Sequence, residues 1–275
     1  MIAAAEASFG DIAPFHVHLD IVGVAFALII GYELGLKRLR APLAPRGEVA
    51  VTTWQRFFFY AGVASLALVS AWPVHDIGER SLFMFHMTEH LVLSLVTPPL
   101  LLLGTPWWLL RALLRPALPL LRVLTKPIVA LVAFNATLGL LHAPGVVDAM
   151  LASSAFHFVA HAALFTTAVL MWFPVIDPIP DLPELQPFGK MGYLFLQSLV
   201  PTVPASFLTL GDSPLYRVYE TFPRLWGISA HTDQVIAGLI MKLGGGLILW
   251  TAIAWVFFSW YAEEQRFSSP RRVAG

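Results

Sequence analysis

Two pairs of histidines have the spacing that stacks imidazoles on one helical face: His86 and His90 in HMTEH, and His157 and His161 in HFVAH. Residues i and i+4 lie one above the other on a helix, so each pair can turn its ring nitrogens toward one metal ion. Imidazole suits copper, zinc, iron and nickel, and a thioether adds a preference for Cu(I). Carboxylates and thioethers accompany the pairs: Asp20, Asp76, Glu89, Asp233, Met84, Met87 and Met150. The chain has nine histidines, the others being His16, His18, His75, His142 and His231. It has no cysteine, which excludes disulfides, thiolate metal sites and iron–sulfur clusters. Metal binding needs the unprotonated imidazole, so the affinity of such a set falls as pH drops below about 6.5.

A plainer reading stands beside this one. A histidine at a helix end can anchor at the membrane interface or bond a backbone carbonyl, and that suits His16, His18 and His75 taken singly. Met84 and Met87 fit as packing residues. Lys242 is a lone charge in an apolar stretch whose depth asks for a partner, such as Glu89 or a carbonyl. Gly244–Gly246 permits close helix packing, and Asn135 can bridge two helices.

The elements that must position these side chains are membrane helices. Hydrophobic residues make up 57% of the 275 and charged ones 12%, against about 25% charged in soluble domains. Several nearly uncharged runs of about 20 residues can each cross roughly 30 Å of hydrocarbon. The runs are continuous rather than alternating, which indicates helices and not barrel strands. The expected fold is an all-α integral membrane bundle of about seven transmembrane helices in a single domain, 1–275. The spans fall at about 18–36, 53–72, 82–103, 127–141, 149–174, 191–210 and 232–261. Pro98–Pro99 should kink the third. Residues 104–126, with paired tryptophans and arginines, suit a helix lying at the interface. The N-terminal MIAAAEASFGDIAP lacks a basic segment leading into an apolar run, so no secretory signal is expected. The net charge is zero, which suggests no nucleic-acid partner; the expected surroundings are membrane lipid.

Lys and Arg favour the cytoplasmic side. One side carries Lys37, Arg38, Arg40, Arg46, Arg56, Arg111, Arg115, Arg122, Lys126, Lys190, Arg266, Arg271 and Arg272; the other carries only Arg80, Arg217 and Arg224. That bias places the N-terminus outside and the C-terminus in the cytoplasm. All nine histidines then fall toward the outer face. Ionisable groups inside a membrane are costly and usually have a role.

Four motifs in order resemble the multi-pass CtaG-type cytochrome c oxidase assembly factors. They are His86–His90 followed by TPPLLLLGTP (Thr97–Pro106), HAPGVVDAM (His142–Met150), HFVAH with MWFPVI (Met171–Ile176), and HTDQVIAGLIM (His231–Met241). The likeness extends over roughly Asp20 to Tyr261. It implies a seven-helix protein of the bacterial plasma membrane that helps build the haem–copper oxidase and its copper centres. The matching positions are His86, His90, His142, His157, His161, His231, Asp233 and Gln234. One departure is visible: relatives carry an aromatic residue, often Trp, after the methionine of the last motif, and Lys242 stands there.

The leading expectation is a non-enzymatic assembly factor. It would bind copper through His86, His90, His157, His161, His142 and His231 and pass it to an oxidase subunit by ligand exchange. Glu89 and Asp233 would fix imidazole tautomers, with Gln234, Met87, Asp76, His75 and Lys242 as auxiliary groups. The alternative is a b-type haem protein or quinone-linked oxidoreductase, with one haem held by outer-half histidines. A transporter fits less well, because the inner halves of the spans are apolar and no inverted repeat is evident. HMTEH is also a poor match to HExxH zinc-protease chemistry.

Overall fold

A computed structural model describes residues 8–45, 47 and 49–268. Arg46, Arg271 and Arg272 of the charge count lie outside the described residues, as do residues 1–7 of the N-terminal stretch. Among the described residues the regular elements are helices, with no strand. In chain order they are α1 (Leu19–Leu43), α2 (Thr53–Ser70), α3 (Val74–Arg80), α4 (Phe83–Gly104), α5 (Trp107–Leu124), α6 (Pro127–Leu141), α7 (Pro144–Ala152), α8 (Ser154–Ile176), α9 (Pro187–Leu210) and α10 (Ala230–Arg266).

Among the described residues, six stretches are long and apolar enough to cross a membrane: α1, α2 continued into α3, α4, α8, α9 and α10. A seventh exists only if α5 and α6 count as one span, and these two are bent by 89°. With 15 residues, α6 alone rises about 22 Å, short of roughly 30 Å of hydrocarbon. The bend has a local cause. The ring of Pro127 disfavours helical geometry in the residue before it, and Lys126 is accordingly extended (φ −57°, ψ 132°).

Three boundaries differ from expectation. The span expected over 149–174 starts at Ser154, and Ala149–Ala152 close α7 instead. Ser153 between them is extended (φ −143°, ψ 111°), and its hydroxyl accepts the Phe156 N–H at 3.3 Å. A serine can thus cap a new helix inside an apolar run. The first span continues to Leu43 and the last to Arg266.

Where a kink is expected in α4, the helix changes its hydrogen-bonding pattern. Pro98 has no N–H to give the Ser94 carbonyl, and the helix widens into a π turn over Val92–Val96. The Trp172 indole N–H of α8 donates to that carbonyl at 3.0 Å. Neighbouring helices commonly re-satisfy groups freed by proline in membranes. The C-terminal end of α4 lies directly on α2. A β-carbon at Gly104 would sit 2.3 Å from the Phe59 backbone nitrogen, so only glycine permits this approach. Tyr32 of α1 donates to the Gly104 carbonyl at 3.0 Å and ties a third helix to the same point. The main apolar core joins α4, α6, α8, α9 and α10 around Phe134, Leu164, Met171 and Leu194.

Candidate metal centre

The first turn of α4 carries His86 toward the cluster, and it is held from far away in the chain. Leu82 precedes it in extended geometry and supplies no side-chain cap. Asp233 at the start of α10 does so instead. Its carboxylate accepts the Phe83 N–H at 2.8 Å and the Met84 N–H at 2.9 Å. A carboxylate at a helix N-terminus satisfies orphan N–H groups and complements the dipole. Asp233 is fully buried and is neutralised by Arg224 at 2.8 Å, which also donates to the Ser81, Tyr219 and Ile228 carbonyls. Gly78 performs the complementary task for α3. A β-carbon there would lie 2.8 Å from the His86 backbone nitrogen, so its absence lets α3 approach α4.

Eight of the nine histidines form one continuous network. The ring-to-ring distances are 4.3 Å for His16–His18, 5.4 Å for His18–His75, 5.5 Å for His75–His157, 4.2 Å for His157–His161, 4.8 Å for His161–His90, 4.2 Å for His90–His86 and 6.4 Å for His90–His142. At its centre, His161 Nε2 lies 3.0 Å from His90 Nε2 and 2.9 Å from His157 Nε2. One ligand atom each from His86, His90 and His161 falls within 4.8 Å of the other two. Nitrogens bound tetrahedrally at about 2.0 Å lie about 3.3 Å apart, so a small adjustment of these rings accommodates an ion.

The hydrogen bonding of the cluster is incomplete, and this argues for a cation. Among the described residues the buried polar side-chain atoms without a hydrogen-bond partner are His86 Nδ1, Glu89 Oε1, His142 Nε2, His157 Nδ1 and Asn135 Oδ1. Folded proteins pair nearly all such atoms, and here four of the five belong to one cluster. His142 is the clearest case. Its Nδ1 faces the Leu138 carbonyl at 2.7 Å; a carbonyl only accepts, so Nδ1 carries the proton and the buried Nε2 keeps a free lone pair. This back-bonded arrangement is the usual one for a metal-binding imidazole. His157 Nδ1 lies 2.9 Å from Glu79 Oε1 but outside hydrogen-bonding geometry.

Glu89 supplies the negative charge. It is buried, it meets His75 Nδ1 at 2.9 Å through Oε2, and its free Oε1 lies 3.6 Å from His161 Nδ1. A carboxylate behind a ligating imidazole fixes its tautomer and raises its basicity. Glu89→Gln should therefore lower metal affinity about 10–100-fold without unfolding the bundle, as read by competition titration against a chelator of known affinity.

Not every residue singled out in the sequence joins this centre. His231 stands apart, with Nε2 2.9 Å from the Gly211 carbonyl. Asp233 touches no imidazole and acts by capping α4. Gln234 bridges the Leu215 N–H and the Leu208 carbonyl. Lys242 is not paired with Glu89, whose partner is His75. Lys242 is exposed and lines a cleft of about 660 Å³, its open mouth included, together with Met87, His90, His142 and Gln197. Conversely, His16, His18 and Glu79 prove to be part of the network. The i,i+4 spacing of His75 and Glu79 was a visible signal. The contact of His16 and His18 with Asp76 was not, because it joins residues far apart in the chain.

A family model described as cytochrome c oxidase caa3 assembly factor matches residues 30–263 of the chain. Comparisons with curated proteins and with solved structures found no match. The matched stretch contains seven of the nine histidines, all of Glu89, Asp233 and Gln234, and all four motifs in their expected order. The chain belongs to the cytochrome c oxidase caa3 assembly factor family.

Proposed function

We propose that the protein binds copper at His86, His90 and His161, on the outer side of the bacterial plasma membrane, and releases it to a cytochrome c oxidase subunit during assembly. The observation that carries this reading is the convergence of three imidazoles from α4 and α8, His86 and His90 buried and His161 partly so, beside unpartnered nitrogens and a buried carboxylate. His142 and His157 flank the trio and provide alternative ligands, so an ion can leave by exchanging one imidazole at a time. The donor set is nitrogen-rich, which suits copper over the hard cations that prefer oxygen.

Ring geometry favours a small ion over haem. Two axial histidines grip a haem from opposite faces with the macrocycle between them, whereas the His90 and His161 nitrogens are 3.0 Å apart and in direct contact. Metal analysis of detergent-purified protein from copper-supplied cells, with a visible spectrum on the same sample, tests the reading. At least one copper per chain without a Soret band is the expected result. A Soret band, or protein without copper, would contradict it.

A further inference from the structure

We infer that His16, His18 and Asp76 form a second, surface copper site, from which the ion reaches the buried histidines through His75, Glu79 and His157. The route rests on the copper-binding reading above; the surface site is built from other residues. His16 and His18 precede residues 30–263, so family membership does not account for them. They lie in the non-helical stretch 14–18, where alternate residues share a face. Both turn toward one carboxylate: His18 Nε2 is 2.9 Å from Asp76 Oδ2, and His16 Nε2 is 3.6 Å from Asp76 Oδ1. The three ligand atoms lie within 4.8 Å of one another. His16 is 42% exposed at its side chain and Asp76 only 2%, so the site opens outward from a buried anchor. Arg80 approaches the same carboxylate at 3.8 Å, and its half-exposed side chain can swing into solvent when a cation binds.

The route inward is continuous because neighbouring groups share helices. α3 gives Asp76 to the surface group and His75 and Glu79 to a middle group completed by His157. α8 gives His157 to the middle group and His161, one turn on, to the inner trio with His86 and His90. Successive rings are 5.4 Å, 5.5 Å and 4.2 Å apart along His18, His75, His157 and His161. An ion can therefore pass by exchanging one ligand at a time without losing all imidazole contact. The groups contain one carboxylate, one carboxylate and none. The nitrogen enrichment at the last step, into the all-imidazole group, favours copper over oxygen-preferring cations.

The test uses full-length apoprotein in detergent with Cu(II) ions, counting bound copper and timing its uptake. Wild type should bind at least one copper more than His16→Ala/His18→Ala, and that variant should fill the buried site about tenfold more slowly. Glu79→Gln should keep the surface copper and show the same slow filling, separating transfer from capture. Thermal melting of each variant confirms folding. Unchanged stoichiometry and rate in His16→Ala/His18→Ala would overturn the surface site and the route together. A His90→Ala/His161→Ala protein that binds as much copper as wild type would instead overturn the buried-site reading and the route, leaving the surface site standing.

Discussion

His90→Ala should lower copper affinity by more than the roughly 10–100-fold seen for partners behind a ligand. His90 is buried, its Nε2 faces His161 Nε2, and its ring also neighbours those of His86 and His142. Its removal takes one of three convergent donors and leaves a cavity within the cluster. The loss should appear in copper content after gel filtration and in chelator competition, with helical content unchanged. His231→Ala is the internal control. Its ring bonds the Gly211 carbonyl away from the network, so copper content should stay at the wild-type level.

The largest effect on stability is expected at Asp233. Removing one partner of a buried ion pair costs about 3–5 kcal/mol, because the other charge is left uncompensated. Asp233→Ala strands Arg224 and also frees the Phe83 and Met84 N–H groups at the start of α4. Chemical denaturation in detergent should show a loss of this size. Asp233→Asn, which keeps an oxygen for the cap but not the charge, should lie between. A loss under about 1 kcal/mol for Asp233→Ala would mean that α4 is held in place by its apolar packing alone. Copper binding should weaken in the same variants, since His86 sits one turn from the cap.

Much of this organisation was legible in the sequence because it is local. The long uncharged runs specify membrane helices, and HMTEH and HFVAH specify two imidazole faces by spacing alone. Pro98–Pro99 announces an interruption in α4. What stayed hidden depends on contacts distant in the chain. The Asp233 carboxylate reaches Phe83 across 150 residues, so it was read as a ligand partner rather than as a cap. The π turn before Pro98 is completed by Trp172, 78 residues away from Ser94. Gly78 has no signature until α3 is laid on α4. The break at Ser153 was masked by apolar residues on both sides, where hydropathy alone cannot separate one helix from two. The tight turn at Lys126 likewise left open whether α5 and α6 form one span.

The most direct test is X-ray absorption at the copper edge on the loaded protein, with the surface site removed by His16→Ala/His18→Ala. The expected spectrum has a shell of about three nitrogens near 2.0 Å with the outer-shell scattering characteristic of imidazole, and it disappears when His90 and His161 are also replaced. A shell of oxygens only, or a spectrum indifferent to those two histidines, would contradict a buried imidazole copper centre.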